Sequence, residues 1–380
     1  MRLRSHRFVQ PQELLLSSVV LLLALGTIMV FSAGAFYHRA PDSFFLLRRQ
    51  LLWLPIAVCV GVFFSLVDYR LYRRYYPYVL ALGISLLVLV LVPGVGRLVN
   101  NSRRWLPLGG FFQFQPSEFA KLATVIFVAG FLSVRPERTR SFVGGFVPVA
   151  AGVLALFGLI LAEPDLGSSV FVLALGVALA LIAGMRLVYL LGNLLVVVPI
   201  LAAYTYVHWD TVSTRLRGMV EPEGQYQTMQ SLIALGSGHW FGVGLGAGAQ
   251  KLRYLPEAHT DFIFAVIGEE LGFVGCVAVI ILFLALIWSG VAIAWRAGDL
   301  FGFLLASGIT LALAAQAAVN IAVVTGTAPT KGMPLPLLSF GGSGLCMTLA
   351  QVGILVSVAR ASADPAGAWK PRAGVARGSS

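Results

Sequence analysis

The sequence predicts an all-α polytopic membrane protein with about ten transmembrane helices and a large outer loop between helices 7 and 8. Of its 380 residues, 58% are hydrophobic and only 11% are charged. Soluble domains carry about 25% charged residues, so this chain has too few charges to cover a water-facing surface. Lipid must therefore cover most of the folded protein, which requires helices whose backbone groups bond internally.

Ten apolar segments have about the 20 residues that a helix needs to cross the hydrocarbon core. They are residues 12–33, 47–67, 75–93, 116–134, 144–162, 167–184, 187–206, 264–295, 301–324 and 337–359. The first apolar run is longer than the roughly 7–15 residues of a signal peptide, so we expect this helix to be retained. Residues 1–362 form one predicted domain, and residues 363–380 are expected to be a disordered cytoplasmic tail.

The positions of Lys and Arg predict that both termini are cytoplasmic, because short positively charged loops stay on the inner side. With this orientation, more than half of the 27 Lys and Arg residues lie inside. The excess of Lys and Arg on the inner side has exceptions in Arg39, Arg48 and Arg49, which lie outside with this orientation. Most of the other outer cations lie in two long loops, which translocate largely regardless of charge.

The composition also excludes several classes of function. A net charge of +11 would suggest nucleic-acid binding in a soluble protein. In a membrane protein, topology and an anionic substrate account for the charge, so we expect no nucleic-acid partner. The three cysteines lie in apolar runs and the five histidines form no ligand-spaced cluster. A disulfide framework, a structural metal site and an organic cofactor are therefore not expected.

Ionisable residues are concentrated at the end of the outer loop 207–263. Lys251, Glu257, His259 and Asp261 lie close together, and Asp261 directly precedes a predicted span. A carboxylate at this boundary is partly desolvated, which raises its pKa and suits it to proton transfer. The alternative is that Thr260 or Asp261 caps the following helix.

Two features flank this cluster. The apolar segment Met229–Leu235 is too short to span, which predicts a half-inserted or interfacial helix. Glu269 and Glu270 lie one to two turns into the next span, where carboxylates are functional candidates unless they lie at interfacial depth. If the helix includes Asp261, Asp261 and Glu269 share one face.

The outer loop 93–115 carries a second set of candidates. Arg103 and Arg104 could bind phosphate oxygens, and Trp105 could stack on a sugar. The alternative is an interfacial Trp with arginines that snorkel to the headgroups. Directly after this loop, Glu118 and Lys121 form an i,i+3 pair near the outer end of a helix.

Two further breaks in the apolar pattern lie near the same predicted face. The short loop Glu163–Ser169 places two carboxylates beside a helix start, where they could also act as N-caps. In segment Thr325–Ser343, Pro334 and Pro336 break regular structure and Lys331 is the only charge, which predicts a broken helix facing protein or a water-filled cavity. Together, these cations, carboxylates and aromatics suit an anionic amphiphile such as a lipid-linked phosphate, or else a transporter cavity.

Several of these motifs, in this order, resemble the SEDS family (shape, elongation, division and sporulation), the bacterial peptidoglycan polymerases that include FtsW and RodA. The most specific segments are Tyr254–Ala265, Gly268–Gly272 and Lys331–Pro336. Supporting pieces are Arg104-Trp105, Gln115–Glu118 with Lys121, and Pro164–Gly167. The division-type (FtsW) members are more similar than the elongation type at three segments, Gly244–Gly246, Gln250-Lys251 and Tyr254–His259.

The resemblance implies a multi-pass protein of the bacterial cytoplasmic membrane that polymerises lipid II on the outer face, in septal synthesis, and releases undecaprenyl pyrophosphate. It implies that Asp261 is the catalytic general base, and that a divalent cation (Mg or Mn) could help to stabilise the departing pyrophosphate. We assign further residues to substrate binding or to shaping the cavity. They are Arg103, Arg104, Trp105, Glu118, Lys121, Lys251, Glu257, His259, Lys331, Ser339 and Ser343.

The resemblance also implies partners, namely a class B penicillin-binding protein (an FtsI-like transpeptidase), other divisome proteins and membrane lipids. Two other classes of function explain part of the pattern. A lipid II flippase would need groups accessible from both faces, which the outer position of Asp261 does not favour. A structural scaffold would not explain the density of charges beside Asp261.

Overall fold

We describe the fold from a computed structural model. The described residues are 10–34, 42–99, 102–109, 112–210, 212–214, 226–251, 254–330 and 332–362. The predicted tail 363–380 and the candidate substrate residue Lys331 lie outside these described residues.

Long apolar helices dominate the described chain. The helices are α1 (Pro11–Gly34), α2 (Phe45–Leu66), α3 (Arg70–Leu91), α4 (Pro116–Val134), α5 (Val147–Ala162), α6 (Leu166–Ile182), α7 (Leu187–Gly192), α8 (Leu194–Val207), α9 (Tyr226–Ser237), α10 (Ile263–Arg296), α11 (Leu300–Val324) and α12 (Gly342–Ser362). Within the described residues, nine stretches are long and apolar enough to cross a membrane, and α6 is a shorter apolar helix. The predicted helical membrane fold is therefore confirmed.

The observed helix ends differ from the predicted ones at three spans. Helix α3 begins at Arg70, five residues before the predicted span 75–93. The predicted span 187–206 is divided into α7 and α8 at Asn193. Helix α12 begins only at Gly342, not at residue 337, because the segment after Pro334 and Pro336 forms turns. Hydropathy locates apolar runs but does not show where such turns interrupt them.

The loop 93–115 contains a small antiparallel sheet that the sequence did not predict. Its strands are β1 (Arg97–Val99), β2 (Ser102–Gly109) and β3 (Phe112–Phe114), in the order β1-β2-β3. Bulges interrupt the pairing on both sides of β2. Short, bulged strands give only a weak period-two pattern, which explains why this sheet was not recognised.

Helix α9 confirms that a short helix lies within the long loop 207–263. It includes the apolar segment Met229–Leu235 and packs against α10 and α11. The Ser231 hydroxyl donates to the carbonyl of Val324 at 2.6 Å, which ties α9 to the last turn of α11.

The helix α4 lies at the centre of the bundle with α11 and α12, since these three helices are the most buried. Helices α2, α3 and α8 are mostly exposed, as expected for helices that face lipid. We call the end of the bundle at which α4, α10 and α12 begin the site end. The opposite end is closed by the Tyr69 hydroxyl, which donates to Asp299 at 3.2 Å, and by Ser357, which donates to the Val67 carbonyl at 2.6 Å.

Candidate active site

Asp261 lies at the site end, in the turn immediately before α10. Its backbone carbonyl accepts a hydrogen bond from the Asn320 side-chain amide of α11 at 2.8 Å. The same amide nitrogen donates to the carbonyl of Met333 at 2.8 Å. One buried side chain of α11 therefore fixes both the turn that carries Asp261 and the irregular segment before α12.

The Asp261 side chain is not used as a helix cap. The N-cap residue of α10 is Phe262, and no side chain caps this end. The capping alternative for Thr260 and Asp261 is thus not observed, and the carboxylate is available for chemistry. Because α10 starts after Asp261, the condition under which Asp261 and Glu269 would share a helix face is not met.

The surroundings of Asp261 favour a proton-accepting role near neutral pH. The side chain is half-buried, and the backbone at Gly332 packs close to it: a β-carbon at that position would lie 3.3 Å from its Oδ2. Burial, then the negative charges of Glu257 and Asp165, raise the pKa of Asp261 to about 7. A carboxylate with a pKa near the working pH is an efficient general base.

Arg104 fastens the loop between α5 and α6 to this site. Its Nε donates to the Glu163 carbonyl at 3.2 Å, and another of its N–H groups donates to the Pro164 carbonyl. Its Nη1 lies 3.9 Å from Oδ2 of Asp165. Asp165 is also the N-cap of α6 and accepts from the Ser168 amide at 3.0 Å, so the capping alternative is confirmed for Asp165.

Glu163 is a neutral acid in the same loop. The side chain is fully buried, and among the described residues neither carboxyl oxygen has a hydrogen-bond partner. Burial, reinforced by the charge of Asp165 and opposed by Arg104, raises the pKa of Glu163 to about 9. Glu163 is therefore protonated at neutral pH and does not add a third negative charge beside Asp165 and Asp261.

The two predicted arginines of strand β2 have different partners. The pairing of β1 with β2 skips Arg104, so the alternation of side chains between the two faces of the strand is interrupted there. Arg103 makes no ion pair or side-chain hydrogen bond with another described residue. Arg104 thus holds protein backbone, whereas the charge of Arg103 is not used within the described part of the protein, and Trp105 is half-buried.

The predicted Glu118–Lys121 pair is confirmed and is buried. The Lys121 ammonium lies 2.8 Å from Glu118 Oε1 and donates to the Gln316 side-chain oxygen at 2.7 Å. Gln316 in turn donates to the carbonyl of Pro334 at 2.9 Å. This chain of contacts connects α4, α11 and the segment before α12, so it shapes the site wall.

Ser339 and His259 take part in a second set of hydrogen bonds, which join the segment before α12 to the turn before α10. The Ser339 hydroxyl donates to the Thr260 carbonyl at 2.6 Å and accepts from the Leu335 amide at 2.8 Å. The Phe340 amide donates to the His259 carbonyl at 2.9 Å. These bonds clamp the residues that precede Asp261. Ser343, the remaining serine candidate, is buried in the first turn of α12.

Lys251 and Glu257 occupy different environments. Lys251 is buried and its ammonium lies 2.5 Å from Glu270 Oε1, so its charge is used within the protein. Glu257 is exposed, and its carboxylate accepts from the Thr260 hydroxyl at 3.1 Å.

Sequence reasoning missed the supporting residues Gln316 and Asn320. They lie four residues apart on one face of the apolar α11, and both are buried. Buried amides in a spanning helix are costly, so they mark a place where irregular backbone must be satisfied. That signal was present in the sequence.

The described residues of the site do not form a complete set of protein ligands for a metal ion. Among the described residues, no three His, Cys, Asp or Glu side chains are grouped closely enough to hold one. A Mg²⁺ ion often binds through only one or two carboxylates together with substrate phosphates.

Comparisons with known proteins agree with this geometry. The sequence profile of the FtsW/RodA/SpoVE family, described as cell cycle protein, matches residues 12–364. The chain is 41% identical over 363 residues to the probable peptidoglycan glycosyltransferase FtsW of Trichlorobacter lovleyi, covering 93% of this chain and 94% of that one. It is 42% identical over 360 residues to stage V sporulation protein E of Bacillus subtilis, covering 93% and 98%.

Two solved structures have the same fold. One, from work on the structural coordination of polymerization and crosslinking by a peptidoglycan synthase complex, matches with a TM-score of 0.74 and 29% identity, covering 92% of this chain and 97% of that one. The crystal structure of the Thermus thermophilus rod shape determining protein RodA matches with a TM-score of 0.68 and 31% identity, covering 91% and 95%. The predicted SEDS resemblance is confirmed, and the chain belongs to the FtsW/RodA/SpoVE family of cell cycle proteins.

Proposed function

We propose that this protein polymerises glycan strands from lipid II, with Asp261 as the general base. Relatives that cover nearly the whole chain are named peptidoglycan glycosyltransferases, and this chain is an enzyme of the same kind. The observation that carries the role of Asp261 is its placement: a half-buried carboxylate, with a pKa of about 7, fixed at the site end of a membrane bundle. Lipid II is amphiphilic, so its reacting sugars lie at that depth while its tail stays in the bilayer.

The proposed reaction is a single displacement. Asp261 accepts the proton of the acceptor sugar hydroxyl as the hydroxyl oxygen attacks the anomeric carbon of the donor. The bond between that carbon and the pyrophosphate oxygen breaks, and undecaprenyl pyrophosphate leaves with the electron pair. General-base assistance of this kind contributes about 10²–10⁴-fold in rate.

Cations near the site stabilise the leaving group in this proposal. Arg103 is the proposed cation, because Arg104 already holds backbone carbonyls while Arg103 makes no ion pair with another described residue. A divalent ion, Mg or Mn, is proposed to arrive on the pyrophosphate, since the described residues alone do not enclose one. Titration with EDTA followed by Mg²⁺ tests this: loss of polymerisation that Mg²⁺ restores supports the ion, and unchanged rates contradict it.

The cellular setting completes the proposal. The structurally similar peptidoglycan synthase complex supports a class B penicillin-binding protein as the partner that cross-links the new strand. The predicted topology, with cytoplasmic termini, places the site end on the outer face of the cytoplasmic membrane. The similarity to FtsW proteins supports a role in septal synthesis together with other divisome proteins.

The deciding experiment uses purified protein in proteoliposomes with labelled lipid II and the partner transpeptidase. We expect glycan chains on a gel from the wild type and almost none from Asp261→Ala. Translocation of lipid II across the bilayer without glycan chains would support the flippase function instead. Near-normal polymerisation by a folded Asp261→Ala protein would remove the general-base role.

A further inference from the structure

Helix α10 is broken close to the site end, at Gly272. This residue has φ 68° and ψ −165°, a combination that only glycine adopts readily. In a regular helix, the carbonyls of Glu269 and Glu270 would accept from the amides of Phe273 and Val274. The break removes both bonds, and unpaired backbone groups are costly inside a membrane.

Residues 239–244, which we call the wedge, supply new partners for all four backbone groups. The four bonds run from Val243 N to Glu269 O (3.0 Å), from Gly244 N to Glu270 O (3.1 Å), from Phe273 N to His239 O (2.9 Å) and from Val274 N to Trp240 O (3.1 Å). The approach is so close that a β-carbon at Gly242 would lie 2.1 Å from the carbonyl oxygen of Glu270. The wedge therefore packs directly against the break in α10 and replaces its missing hydrogen bonds.

The two carboxylates at the break hold the chain that follows the wedge. Glu270 is fully buried and accepts from the Ser32 hydroxyl at 2.6 Å, from the Lys251 ammonium at 2.5 Å and from the Gly246 amide at 3.0 Å. We call Glu270, Lys251 and Ser32 the latch.

Glu269 makes a parallel set of contacts. Its Oε1 accepts from the amides of Ala249 and Gln250 at 2.6 and 3.1 Å. The carboxylates thus fix three successive parts of the segment 246–251.

The held segment ends ten residues before the proposed catalytic residue. The chain leaves the latch at Lys251 and returns to the start of the same half-helix, residues 263–271, at Asp261. At that end the turn is fixed by Asn320 and Ser339. One end of the loop between Lys251 and Asp261 is therefore held by the latch at Glu270. The other end, at Asp261, is held beside the start of the same half-helix.

We propose that Glu270 is a positioning residue, which through the latch holds the loop that carries Asp261 at the distance the reaction needs. This inference rests on the proposed function of Asp261. A buried ion pair adds little net stability compared with apolar packing, but it fixes one geometry. Misplacing a catalytic group by about 1 Å can cost about a hundredfold in rate.

The test compares Glu270→Gln, Lys251→Met and the double variant in proteoliposomes, with kcat and KM for lipid II and amide hydrogen exchange measured on each. Each single variant leaves one buried charge unpaired, whereas the double variant removes both. Asp299→Asn is the matched control, because it removes an ion pair with Arg70 at the opposite end while an Asn keeps the cap on Gly302.

We expect each single variant to lower kcat about a hundredfold with KM within about twofold, and the double variant to recover at least tenfold. Exchange should rise at Gly246, Ala249 and Gln250 and not at the opposite end. If a single variant loses exchange protection throughout the chain, it has unfolded, and Ser32→Ala then tests the inference, because this variant removes only one hydroxyl. We expect Ser32→Ala to lower kcat about tenfold and to raise exchange at Gly246, Ala249 and Gln250.

Two results would overturn the inference while leaving the proposed function intact. The first is polymerisation by both single variants within about twofold of the wild type. The second is lost activity with unchanged exchange across residues 246–251. A wild type that makes no glycan would instead overturn the proposed function, and the exchange measurements would still decide whether the latch holds the loop.

Discussion

The raised pKa of Asp261 predicts an unusual pH dependence for polymerisation. An ordinary aspartate, with a pKa of about 3.9, would be ionised throughout the physiological range. With a pKa of about 7, the ionised fraction rises from roughly one-tenth at pH 6 to roughly nine-tenths at pH 8. Because only the ionised form accepts a proton, kcat/KM should increase about tenfold over this interval.

The cause of the shift can be tested by removing one charge. Glu257 is the second cause of the raised pKa after burial, and its exposed carboxylate can be changed without opening a cavity. Glu257→Gln should lower the pKa of Asp261 and so move the acidic limb of the pH profile to lower pH. The ratio of kcat/KM at pH 6 to kcat/KM at pH 8 should then be higher for the variant than for the wild type. Glu137→Gln, in the exposed connection between α4 and α5, is the matched control and should leave the limb in place.

The assay is single-turnover polymerisation of labelled lipid II from pH 5.5 to 8.5, with folding checked at each pH. A flat profile across this range would refute the argument, because Asp261 would then be ionised throughout. An acidic limb that Glu257→Gln and Glu137→Gln move equally would refute the assigned cause.

Two further predictions concern binding and stability. Arg103→Ala should raise KM several-fold with little change in kcat, while Arg104→Ala should lower kcat, because Arg104 holds the backbone of the α5–α6 loop; substrate titrations separate the two. Lys121→Met should lower stability by about 3–5 kcal/mol by leaving Glu118 buried without its partner, and adding Glu118→Gln should restore much of the loss. Thermal unfolding in lipid measures the latter, and equal melting temperatures for the single and double variants would contradict it.

The sequence was sufficient to predict the spans, the short helix α9 and the contact between Glu118 and Lys121. Each depends on local information, namely apolar length or an i,i+3 spacing within one helix. It could not show that Arg104 rather than Arg103 holds the backbone of the α5–α6 loop, because the accepting carbonyls lie about sixty residues later in the chain. Nor could it show the break at Gly272, since the wedge that satisfies the broken helix lies about thirty residues earlier in the chain and bonds only through backbone atoms.

The burial that suits Asp261 to catalysis also predicts a cost in stability. The folded-state pKa of Asp261 lies above the unfolded value, so the protonated form favours folding, and that contribution is lost as the pH rises through about 7.

Replacing Asp261 by Asn removes a charge that the fold disfavours and keeps a similar shape. From 3.8 to about 7, the shift corresponds to a gain of up to about 4 kcal/mol at pH 8 and about two-fifths of that at pH 5. Thermal unfolding of Asp261→Asn should therefore show a higher melting temperature than the wild type, with a gap that widens from pH 5 to pH 8. A gap that narrows with rising pH would mean that the ionised carboxylate is stabilised in the fold, and Asp261 would then be too weak a base for the proposed role.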